Sequence, residues 1–200
     1  MRSLNQRIRR NYEALMLPAG RILKRTGISA NWFSLAAVGL AAFAGLGFAT
    51  QRLALGLLLL IGSVVVDMVD GSVARASGRA GPFGMVIDHT TDRYAEFFWI
   101  LGLCLGGYAP FWLGLVTLFS MLMPSYVRAK VESSGIGISS QGVGIAERKE
   151  KVTILIVSLV LAFRFEDAVG YGFGVISVIS QISAFERLWH AYRRKDDCET

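Results

Sequence analysis

DMVDGSVARASGRAGPFGMVIDHTTD, residues 67–92, places four carboxylates, Asp67, Asp70, Asp88 and Asp92, at the facing ends of two apolar runs. The run before it starts at Leu53 and continues past Val66, and the run after it is purely apolar from Phe97 to Leu105. Asp67 and Asp70 are three apart, so they share a helical face that continues through Gly71 and Ala74. Gly84, Asp88 and Asp92 are four apart and line one stripe of the following helix. A short turn joins the two segments, which predicts antiparallel neighbours whose acidic faces meet. An ionised group near mid-bilayer costs about 2.5–3.5 kcal/mol, less toward the interface, so four acids in this setting point to a function.

Outward from this stretch the chain stays apolar. Its 200 residues are 53% hydrophobic and 18% charged, with a mean hydropathy of +0.47, which excludes an ordinary soluble domain and predicts a polytopic membrane protein of one domain, 1–200. Thr26 to Gln51 carries no charge, enough for a first span. The second helix runs from Leu53 to near Ser77, and the third from near Phe83 to Leu105, where Gly106, Gly107 and Pro110 break the chain. The fourth covers Phe111 to Glu132 with a kink at Pro124, the fifth Glu147 to Phe163 and the sixth Ala168 to Tyr192. Ser133 to Ala146, rich in Gly and Ser, reads as a loop. Leu4, Ile8, Tyr12 and Leu15 give the N-terminal segment an apolar face opposite its arginines, suiting a helix on an anionic leaflet or a short solvated helix packed on the body. No apolar core of signal-peptide length precedes Arg21. The expected fold is an all-α integral membrane fold, six transmembrane helices preceded by an N-terminal amphipathic interfacial helix.

The net charge of +6 belongs to topology, not to a nucleic-acid partner. Lys and Arg collect in the N-terminal segment, around Ser77 to Pro82, between Arg128 and Lys151 and from Arg187 onward, whereas the turns after the first and fifth helices carry only Arg52 and Arg164. The positive-inside rule makes the basic side cytoplasmic and puts the four acids near the cytoplasmic ends of the second and third helices of a multi-pass cell-membrane protein. Trp32, Trp99, Trp112, Trp189, His190 and Tyr192 read as interfacial anchors. His89 lies about 100° around the helix from the carboxylate stripe, which suits packing or a supporting hydrogen bond. Cys104 and Cys198 read as free thiols. Gly170, Gly172 and Gly174 read as small residues for helix packing.

The carboxylates form an all-oxygen set for hard divalent cations. Gly71 and Gly84 remove side chains where a ligand must come close, and Arg75 is a planar donor suited to phosphate oxygens, so the natural ligand is a metal-bound diphosphate. One remaining carboxylate is then available to take the proton of an attacking hydroxyl. A divalent-cation transporter would use the same acids, but it leaves Gly71, Ala74, Arg75 and Gly84 unexplained.

The same segment follows the pattern DxxDGxxAR, eight residues, GxxxDxxxD, and so resembles the CDP-alcohol phosphatidyltransferase family. The resemblance implies a six-helix membrane enzyme, commonly a homodimer, that moves the phosphatidyl part of a CDP-linked lipid to an alcohol and releases CMP. It implies two divalent ions, Mg2+ or Mn2+, with Asp67, Asp70 and Asp88 as ligands and Asp92 as both ligand and general base. Gly71, Ala74, Arg75 and Gly84 would line the CDP-lipid pocket, with Asn31 reaching the nucleotide or capping its helix.

For the acceptor, Arg128, Arg148 and Arg187 stand at the cytoplasmic ends of the last three helices, where they would converge on a phosphate or merely enforce topology. SYVRAKVE, IAERKEK and FERLW resemble segments of phosphatidylinositol phosphate synthases and their archaeal archaetidylinositol phosphate counterparts. That resemblance implies inositol phosphate as the phosphorylated alcohol held by the three arginines. The alternative acceptors are glycerol phosphate and an unphosphorylated polyol.

Overall fold

Helical spacing and turn residues set the architecture of the computed structural model, which describes residues 30–77, 82–134 and 147–194. Among these there are six α-helices and no strand: α1 Ala30–Ala49, α2 Leu53–Ser77, α3 Pro82–Leu105, α4 Phe111–Ser133, α5 Arg148–Ala162 and α6 Ala168–Arg194. Every expected helix from the first to the sixth is present. The expected N-terminal helix, Cys198 and most of the Ser133 to Ala146 loop lie outside the described residues. Among the described residues, three helices are long and apolar enough to cross a membrane, over Trp32–Ala49, Phe111–Ser133 and Ala168–Arg193, and Leu53–Met68 is a shorter apolar stretch. The polar groups of α3 and the short, basic start of α5 keep those two from meeting the same standard.

The chain divides into two compact units, Met1–Trp99 and Ile100–Thr200. In the first, α1 packs on α2 through Ala37, Ala41, Ala44 and Phe48, which are buried on one face together with Leu60 of α2. The connection needs a left-handed residue, and Gln51 supplies it with φ 59°. The bonds Gln51 N to Phe48 O, 2.9 Å, and Arg52 N to Gly47 O, 2.8 Å, close the end of α1 as a Schellman motif. α1 also crosses α3 closely: a Cβ on Gly45 would stand 2.5 Å from the Phe98 carbonyl oxygen.

In the second unit, α4 and α6 are joined by side-chain hydrogen bonds along their length. Thr117 Oγ1 lies 3.0 Å from Ser177 Oγ and 3.3 Å from the Phe173 carbonyl, Gln181 Nε2 donates to Ser120 Oγ at 3.1 Å, and Arg187 Nη1 donates to the Pro124 carbonyl at 2.7 Å. Such bonds matter where lipid offers no competing partner. α5 packs on α6, where Gly172 faces the Ser158 side chain, while a Cβ on Gly170 or Gly174 would meet open space. Gly172 thus fills the packing role expected of all three glycines. Large apolar side chains such as Phe43, Leu58, Phe119 and Phe185 remain exposed, the surface a bilayer covers.

One aromatic expectation fails. Trp32 and Trp112 are exposed, as anchors should be, but Trp99 is only 1% exposed. It stands three residues past Glu96 and seven past Asp92, which puts it on the inward face of α3 rather than at an interface.

Candidate functional site

The polar stripe of α3 turns inward as it descends the helix. The side chain of Asp88 is 44% exposed, whereas Asp92 is 7% and Glu96 1% exposed. Leu103 continues that buried face, while Met85, Val86, Tyr94 and Phe97 lie exposed. The result is an acidic face open at the Asp88 end and closed at the Glu96 end. Asp88, His89 and Asp92 each offer a ligand atom, all within 4.8 Å of one another, and His89 Nδ1 lies 3.7 Å from Asp88 Oδ2. Oxygen donors of this charge suit Mg2+ or Mn2+. His89 is exposed, which speaks against packing as its role and leaves the supporting contact to Asp88.

One turn deeper, Arg93 Nη1 meets Glu96 Oε2 at 2.6 Å, neutralising a carboxylate that is otherwise enclosed. The hydroxyls of Thr90 and Thr91 bond the Val86 and Ile87 carbonyls of their own helix, at 2.7 Å and 3.0 Å. A Cβ on Gly84 would meet nothing among the described residues, so packing gives no reason for glycine there and the space is available to a ligand. Asp67 is partly buried on α2, and Asp70, Gly71, Ala74 and Arg75 follow on the same helix. Asn31 is the second residue of α1.

The expected acceptor cations lie in the second unit. Arg128 Nε holds Glu132 Oε1 at 2.9 Å on the last turns of α4. Arg187, tied to the Pro124 carbonyl, is within electrostatic reach of Arg128, Glu132 and Glu147. Arg148 is the first residue of α5 and is partly buried. Arg128 and Arg187 thus lie within electrostatic reach of each other, with Glu132 and Glu147 also within reach of Arg187. Sequence reasoning left both glutamates out, although the four-residue spacing of Arg128 and Glu132 was a visible signal.

Comparison with known proteins covers both groups of residues. Residues 28–184 match the family model described as CDP-alcohol phosphatidyltransferase, a range that contains the four aspartates, Arg128 and Arg148 and stops just before Arg187. The archaetidylinositol phosphate synthase of Methanothermobacter thermautotrophicus is 33% identical over 177 residues, which are 86% of this chain and 88% of that protein. Among solved structures, Mycobacterium tuberculosis phosphatidylinositol phosphate synthase with CDP-DAG bound superposes with a TM-score of 0.76 at 26% identity, covering 90% of this chain and 94% of the other. The same enzyme in complex with manganese and citrate gives a TM-score of 0.75 at 27% identity, covering 88% of each chain.

Proposed function

The chain belongs to the CDP-alcohol phosphatidyltransferase family, and from that premise we propose that it transfers a phosphatidyl or archaetidyl group from a CDP-linked lipid to inositol phosphate. The inward-turned acidic face of α3, with Asp92 at its enclosed part and Asp88 at its mouth, is the observation that carries this reading. The kinship with archaetidylinositol and phosphatidylinositol phosphate synthases supports the acceptor.

In this reading Asp67, Asp70, Asp88 and Asp92 hold two divalent ions, Mg2+ or Mn2+, and the manganese of the mycobacterial structure supports that choice. When bound, such ions neutralise the diphosphate, polarise the phosphorus under attack and stabilise the leaving phosphate. Asp92 accepts the proton of the acceptor hydroxyl and passes it to solvent. The hydroxyl oxygen forms its bond to the lipid-side phosphorus as the phosphoanhydride bond breaks, and CMP leaves. Gly71, Ala74, Arg75 and Gly84 accommodate the CDP group, with Asn31 beside the nucleotide. Arg128, Arg148 and Arg187 hold the acceptor phosphate.

The finer topology belongs to the same proposal. Six spans and an N-terminal interfacial helix put the carboxylates on the cytoplasmic side of the cell membrane, and the active form is a homodimer. The test offers purified protein one CDP-lipid, a divalent salt and, in turn, inositol phosphate, glycerol phosphate and free inositol. A new lipid formed with inositol phosphate in clear preference is the expected result. Equal or better use of free inositol overturns the acceptor assignment, and cation flux into liposomes without nucleotide chemistry overturns the whole reading.

A further inference from the structure

Arg128 reaches Glu132 through Nε alone, and Glu132 is its one hydrogen-bond partner among the described residues, so its two terminal nitrogens are not committed to protein. That is the arrangement in which a guanidinium is fixed by one edge and offers a planar fork at the other. Glu147 and Glu132, in that order, also act electrostatically on Arg187. Arg187 is fixed by the Pro124 carbonyl of α4.

We propose that Glu132 is a positioning residue for the acceptor phosphate: it holds Arg128 by Nε, with the terminal nitrogens presented as a preformed fork. The inference rests on the acceptor pocket proposed above. Its physical basis is entropic. An arginine free to sample its rotamers must be immobilised when the phosphate arrives, whereas one already held gives up less. Helix stability does not account for the pair equally well, because an exposed ion pair at this spacing contributes little, and arginine preceding glutamate is the weaker order along a helix.

The experiment measures initial rates of the wild type, Glu132→Gln, Arg128→Gln and the double variant with inositol phosphate varied and CDP-lipid saturating, then with the two exchanged. Glu132→Gln is expected to raise the KM for inositol phosphate roughly three- to tenfold, with kcat and the KM for the CDP-lipid within about twofold of wild type. Adding it to Arg128→Gln should produce no further rise, since the residue it positions is gone. An unchanged or lowered KM in Glu132→Gln, while Arg128→Gln raises it, overturns the positioning role and leaves the pocket standing. No change in Arg128→Gln overturns the pocket itself. A fall in kcat for both substrates alike would assign Glu132 to folding and reject the proposal.

Discussion

Asp92 and Glu96 stand one turn apart on the same buried face of α3, yet their surroundings prepare them for different work. Glu96 is ion-paired to Arg93 at 2.6 Å and enclosed, whereas Asp92 shares its ligand cluster with Asp88 and His89 toward the open end. Replacing Glu96 by Leu removes an ion-pair partner of a part-buried guanidinium, for which a destabilisation of about 2–3 kcal/mol is expected, below the full cost of breaking a buried pair because Arg93 keeps some contact with solvent. Thermal unfolding in detergent checks this, and the double variant Arg93→Leu with Glu96→Leu should recover part of the loss. A single variant as stable as wild type would contradict it. The stripe itself was legible, because four-residue spacing admits one helical face. The Arg93 pairing was not, since an arginine beside that stripe can swing to either side, and only packing decides which.

At the scale of elements, close approach explains which small residues matter. In α1 a Cβ on Gly45 would stand 2.5 Å from a backbone carbonyl of α3, while one on Gly39 would meet open space. Gly45→Ala is therefore expected to lower stability by roughly 1–3 kcal/mol and Gly39→Ala to leave it unchanged or raise it slightly, read as shifts in the thermal midpoint. Equal effects would refute the crossing. Between α4 and α6, Thr117→Val removes the bonds to Ser177 and the Phe173 carbonyl, a loss of about 0.6–1.7 kcal/mol by the same measurement. Helix limits were readable because charges, Gly107 and the prolines interrupt otherwise apolar runs. The α4–α6 ladder was not, because hydroxyls spaced along an apolar helix do not reveal which rotation the helix adopts. Trp99 shows the same limit: composition suggested an interface, while its register with Glu96 put it inside.

For the whole molecule, cation placement predicts that the turn around Pro110 faces outward and the segment after α4 faces the cytoplasm. In a chain with Cys104 and Cys198 replaced by Ala, an impermeant maleimide added to intact cells should label Pro110→Cys and leave Ser134→Cys untouched until the cells are opened. The reverse pattern would invert the topology. The family was legible because eight specified residues recur at fixed spacing between Asp67 and Asp92. Of the carboxylates near Arg128 and Arg187, Glu132 was visible in its four-residue spacing from Arg128, whereas Glu147 was not, because its place depends on how α4, α5 and α6 end beside one another. CMP release by the purified enzyme with CDP-lipid, inositol phosphate and Mn2+ tests the central claim most directly. The account predicts one CMP for each new lipid molecule, no release in excess chelator, and a rate about 10²–10⁴-fold lower in Asp92→Asn. A rate in Asp92→Asn close to that of the wild type would contradict it.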